Sequence, residues 1–83
     1  MGKTLFELVN EVESEATFMD FLLELSKDRE EQTDEWQNDS IESFLEAAAR
    51  WGQDSVDGLR HYEKSDNPWE RCAQILYMGK IYE

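Results

Sequence analysis

Apolar residues recur at helical spacing four times along the chain. Leu5, Leu8, Val9 and Val12 stand at i, i+3, i+4 and i+7, and Phe18, Phe21, Leu22 and Leu25 repeat the interval. Ile41, Phe44, Leu45 and Ala48 do so again, and Trp69, Cys72, Ala73 and Leu76 close the series. Steps of three and four place each set on one face of an α-helix, whereas a half-buried strand would alternate. One proline and four glycines are too few for the turns of a β-sandwich. The pattern predicts an all-α domain of four main helices, near 4–12, 18–31, 40–51 and 68–82.

Polar residues at the boundaries agree. Thr17 is placed to cap a helix that begins at Phe18, with Asp20 in its first turn near the positive end of the helix dipole. Asp39 with Glu42, and Asn67 with Glu70, have the spacing of a capping box. Pro68 falls at a first helical position, where its missing N–H leaves no hydrogen bond unmade. Gly52 after Trp51 reads as a C-terminal stop. Lys27, Arg29 and Lys80 lie late in their helices, as the dipole prefers. Residues 31–38 are polar apart from Trp36 and read as a loop. In the 53–66 connection Val56, Leu59 and Tyr62 stand at threes, which predicts a short fifth helix near 54–63. Gly58 weakens it by about 1 kcal/mol relative to alanine. No repeat or low-complexity tract divides the chain, so residues 1–83 read as one compact domain.

Charge sharpens this picture. The formal net charge is -12, with eleven acids and three bases in residues 1–35 and nine acids and five bases in 36–83. A phosphate backbone would be repelled, so direct nucleic-acid binding is not expected. No run of roughly 18 apolar residues exists, and no membrane span is expected. The N-terminus from Met1, Gly2 and Lys3 meets an acid already at Glu7, unlike a secretory signal, and Leu5, Phe6 and Glu7 fit N-myristoylation poorly. The lone Cys72 excludes an internal disulfide and fits a reducing cytoplasm.

Candidate chemistry is sparse. With Gly58 at the sixth position of an EF-hand loop, Gln53 falls first and Lys64 twelfth, where an aspartate and a bidentate glutamate are required. His61 and Cys72 have no second pair with which to complete a tetrahedral metal site. Cys72 stands on an apolar stripe and reads as a buried thiol, and His61 reads as a surface residue. One histidine, no nucleophile elbow, no phosphate-cradling loop and no dinucleotide fingerprint argue against catalysis. No cofactor and no metal are expected. Trp51 and Trp69 read as core. Trp36, in an acidic stretch, either plugs the end of the bundle or anchors a partner.

Acids form two clusters. Glu11, Glu13 and Glu15 flank the first junction. Asp28, Glu30, Glu31, Asp34, Glu35 and Asp39 surround the second, interrupted by Arg29 alone. Six acids in twelve positions exceed what solubility requires, and such a surface steers basic partners. These six with Trp36 are the candidate partner-binding residues, and the partner expected is a basic protein. The alternative is a structural or self-associating module whose acids only maintain solubility, with Met19, Leu23 and Ile75 as contacts.

The run from Glu35 and Trp36 through Asn38 to Phe44-Leu45-Glu46-Ala47, then Trp51, Asn67-Pro68-Trp69, Ala73, Leu76 and Gly79-Lys80-Ile81-Tyr82-Glu83, resembles a family of small bacterial proteins of unassigned function. The phenylalanine-rich segment from Phe18 to Leu25 is similar to that family's opening helix. The resemblance covers most of residues 17–83 and implies an all-α fold and a bacterial origin, without an activity. Small acidic bacterial proteins of this kind resemble immunity proteins and other inhibitors encoded near toxins. The expected role is a non-enzymatic inhibitor, either an immunity protein for a nuclease-type toxin or a nucleic-acid mimic that occludes a basic cleft.

Overall fold

Each helix starts where a side chain takes up N–H groups that have no partner within the first turn. The structure is a computed structural model that describes residues 4–82. Met1, Gly2 and Lys3 of the N-terminal reading, and Glu83 of the closing motif, lie outside the described residues. Helix α1 (Leu5–Glu11) is capped by Thr4, whose Oγ1 accepts from the Glu7 N–H at 3.1 Å while the Glu7 carboxylate accepts from the Thr4 N–H. Helix α2 (Glu15–Glu31) starts earlier than the apolar spacing suggests. Ser14 is its cap, accepting from the Thr17 N–H at 3.3 Å, and the Thr17 hydroxyl oxygen accepts in return from Ser14 N–H at 2.9 Å. Thr17 is therefore the third residue of the capping box and not the cap.

Helix α3 (Ile41–Asp54) is capped by Ser40 with Ser43, one position on from the expected Asp39 and Glu42. It runs through Gly52 to Asp54, so Gly52 is not its stop. Helix α4 (Pro68–Ile81) begins as its sequence predicts. Asn67 Oδ1 accepts from the N–H groups of Trp69 and Glu70 at 2.9 and 3.3 Å. Ser65 Oγ, and not Glu70, takes the Asn67 N–H, and Glu70 accepts from the Ser65 hydroxyl.

The fifth helix does not form. Gly58 adopts φ +85°, a left-handed conformation that no α-helix contains, and Leu59 and Tyr62 pair through two backbone hydrogen bonds. The segment is organised by Arg71 of α4. Its guanidinium donates to the Gly52 carbonyl at 2.9 Å, to Ser55 Oγ at 2.9 Å and to Tyr62 OH at 3.2 Å. It also lies over the Trp51 ring. A cation thus closes the C-terminal end of α3, where free carbonyls and the dipole favour positive charge. The expected loop at 31–38 carries the last residue of α2 and one 3₁₀ turn, Thr33–Glu35.

Helix α4 packs on all three others and most extensively on α3. Val9, Val12, Phe21, Leu25 and Ala73 form the buried cluster, flanked by Leu8, Phe18, Trp69 and Leu76. Ala47, Ala48 and Trp51 are buried on α3. Gly79 permits the close crossing of α3 and α4, because a Cβ there would meet the Phe44 carbonyl oxygen at 2.9 Å. The inward face of α4 is Trp69, Ala73, Leu76, Tyr77 and Lys80, rotated from the expected stripe. Cys72 is consequently exposed, a correction to its reading as a buried thiol. No helix among the described residues is long and apolar enough to cross a membrane.

Candidate partner-binding surface

The seven residues singled out from the sequence occupy the end of α2, the 3₁₀ turn and the approach to α3, and they separate into two groups. Asp28 and Trp36 turn inward. Asp28 Oδ2 lies 2.8 Å from Lys80 Nζ and accepts the Trp36 Nε1–H bond at 2.9 Å. The Lys80 side chain is only 8% exposed and that of Asp28 16%, so both charges are largely removed from water. An ammonium group buried on α4 requires a carboxylate beside it, and Asp28 meets that requirement. Burial by itself lowers the Lys80 pKa, but hydrogen bonds and attraction from Asp28 and Glu35 outweigh it and hold the pKa above its ordinary value. The Trp36 ring packs on Phe44 at 5.5 Å between centroids, beneath the Arg29 guanidinium. Asp28 and Trp36 are thus both engaged inside the fold, and Trp36 takes the packing position of its two readings.

Glu30, Glu31, Asp34, Glu35 and Asp39 are exposed. Their backbone is pinned at both ends. Thr33 Oγ1 donates to the Arg29 carbonyl at 2.7 Å, closing α2 into the 3₁₀ turn. Gln37 and Asn38 N–H groups donate to the Lys80 carbonyl at 3.0 and 3.4 Å, and Asn38 Nδ2 donates to the carbonyls of Gly79 and Tyr82. Arg29 Nη2 donates to the Asp39 carbonyl at 2.8 Å. The carboxylates therefore project from a short segment fastened to the end of α4.

Glu31 and Glu35 line an open groove of about 460 Å³ between α1, α2 and α4, with Glu24 and Asp28 beside them. Among the described residues the cations lining it are Lys27, 3.5 Å from Glu24, and Lys80. Phe6 and Tyr77 supply an aromatic wall, with ring centroids 6.0 Å apart. Glu24, Lys80 and Asn38 were not singled out as site residues. Asn38 carried a signal, since it stands in the motif quoted above, whereas nothing near Lys80 in sequence points to Asp28.

Glu13 and Glu15 are exposed at the opposite end of α4, near its start, where Asn67 Nδ2 donates to the Glu13 carbonyl. His61 is also exposed. Among the described residues no group of three or more His, Cys, Asp and Glu side chains is arranged to hold a metal ion.

The model of a family of unknown function, DUF7660, matches residues 14–83. The chain belongs to that family. The DUF7660 span begins at the Ser14 cap of α2 and takes in α2, α3, α4 and all seven candidate residues, while α1 precedes it. No curated protein and no solved structure matches the chain. Chemically, the exposed edge of this DUF7660 chain offers hydrogen-bond acceptors carrying negative charge, the complement of arginine and lysine side chains.

Proposed function

We propose that the protein is a non-enzymatic binding protein that occludes a basic surface on a protein partner. The reading rests on one observation: five exposed carboxylates, Glu30, Glu31, Asp34, Glu35 and Asp39, on a short segment held at both ends by hydrogen bonds. An array fixed before binding loses less conformational entropy on contact than a flexible acidic tail. The net charge of -12 accelerates encounter with a positive surface. An immunity protein for a nuclease-type toxin and a nucleic-acid mimic are its two concrete forms, both acting in a bacterial cytoplasm. In each, carboxylates take positions that phosphates would occupy.

The test is capture of the partner by the tagged protein from bacterial lysate at low salt, followed by titration of the identified protein. Glu30→Lys with Asp34→Lys weakens binding by about tenfold or more, since each reversal replaces attraction by repulsion, while far-UV circular dichroism stays unchanged. Equal affinity of the double variant and the parent sinks the proposal.

A self-associating module is the second reading. It is favoured by Met19 and Leu23, exposed one turn apart on α2, whereas Ile75 is half-buried beside Gly52. Sedimentation that depends on protein concentration would support it.

A further inference from the structure

Helices α2 and α3 both pack on α4 but barely touch one another. Between them lies a recess of about 310 Å³, walled by Leu22 and Leu25 of α2, Trp36 of the connection, and Ile41 and Phe44 of α3. One lip carries apolar surface that α4 does not cover. Ile41 is 74% exposed and Leu45, one turn further on the same helix, is 54% exposed. Their exposure contributes nothing to the core, which takes Ala47, Ala48 and Trp51 from α3. Contiguous exposed apolar residues beside a recess mark a place where another surface docks.

We propose that the α2–α3 cleft receives an amphipathic helix of the basic partner, with apolar side chains in the recess and lysine or arginine on the flanks of that apolar face, against the acids on the cleft's lips. The inference rests on the partner being basic, as argued above, and adds how that partner is anchored. Two helices held apart by a third form a groove of the kind that accepts a helix. The recess is at the low end of ligand-pocket volumes, ~300–1,000 Å³, which suits side-chain anchors better than a cofactor. Charge selects the occupant. Asp39 lines the recess and Glu42 is exposed beside Ile41 on α3, while Glu46, beside Leu45, is paired with Arg50 at 2.6 Å. Arg29, the one cation among the described residues that line the recess, donates to the Asp39 carbonyl and lies over the Trp36 ring. A second copy of this chain would bring another -12 against the first, and like charges oppose that pairing. Trp36 acts here as a wall of the cleft and not as a projecting anchor.

The test uses three synthetic helical peptides about five turns long. One is a lysine–leucine peptide with leucine on one face, one has the same composition shuffled so that no face forms, and one replaces lysine by glutamate. Binding is read by fluorescence anisotropy at physiological salt and located by amide and indole N–H chemical shifts. The expected result is an affinity for the basic amphipathic peptide about tenfold or more above that for the shuffled one, with shifts at Trp36 and α3. Ile41→Gln with Leu45→Gln erases that preference while circular dichroism is unchanged. Equal affinity for both basic peptides, or a preference that survives in the double variant, overturns the cleft. If that binding still falls in Glu30→Lys with Asp34→Lys, the electrostatic reading stands without it. If neither basic peptide binds, both the cleft and the electrostatic reading are overturned. A concentration-dependent dimer abolished by Ile41→Gln with Leu45→Gln assigns the cleft to a second copy and overturns the proposal.

Discussion

At Lys80 an ammonium group sits where water barely reaches, between Asp28 at 2.8 Å and Glu35 at 3.4 Å. Removing one member of a buried pair leaves the other charge desolvated and without compensation, at a cost of about 3 kcal/mol or more. Lys80→Met is therefore expected to lower the free energy of urea unfolding by about 3 kcal/mol. The pH dependence has a definite sign. The Lys80 pKa is raised in the folded protein above its ordinary 10.5. Its contribution to stability is full below the unfolded value and is lost as pH rises through the raised one. The Tyr82 phenol, raised by its hydrogen bond to Asp54, titrates in the same sense, so the comparison belongs in a Tyr82→Phe background. There the urea midpoint falls above about pH 10.5 with Lys80 present, and falls less in Lys80→Met. The pair was not legible in the sequence, since a contact between distant residues leaves no local spacing.

At the scale of the elements, the crossing of α3 and α4 is set by Gly79. An added Cβ would lie 2.9 Å from the Phe44 carbonyl oxygen and 3.1 Å from Ala48 Cβ, and the first of these is backbone that cannot swing aside. Alanine improves helix propensity by about 1 kcal/mol over glycine, but overpacking costs about 1–3 kcal/mol. Backbone contact decides for the clash. Gly79→Ala is expected to lower the melting temperature by about 5 °C or more. Helix starts are legible to within a turn: Asn67 with Pro68 marks the start of α4, whereas Thr17 and Asp39 compete in the sequence with the true caps Ser14 and Ser40. Serine, threonine and aspartate all accept from an N–H, so side-chain chemistry does not separate them. The extended backbone at Ser14 and Ser40 does.

Over the whole molecule, α4 joins three helices that make fewer contacts with one another, and the excess of negative charge is spread around it. The radius of gyration is 12.3 Å, so many like charges lie within a Debye length, about 10 Å at 0.1 M salt. Raising NaCl from about 10 mM to about 0.3 M screens this repulsion, and the melting temperature of the isolated protein is expected to rise. Thermal unfolding at a series of salt concentrations checks it; a flat or falling series would mean that surface ion pairs outweigh the repulsion.

The sequence by itself determined the four main helices, their approximate positions and the acidic surplus, because periodicity, capping and charge are carried by residues near one another in the chain. Tertiary packing decided which way each helix faces. Rotation about a helix axis is fixed by what lies against it, and α4 contributes Tyr77 and Lys80 to the interior while leaving Cys72 outside. The same choice on α3 buries Ala47 and Trp51 and leaves Ile41 and Leu45 over the cleft. Of the candidate residues, packing turned Asp28 and Trp36 inward, against Lys80 and Phe44, and left the other acids on the surface, from which Glu35 alone among them reaches Lys80, at 3.4 Å.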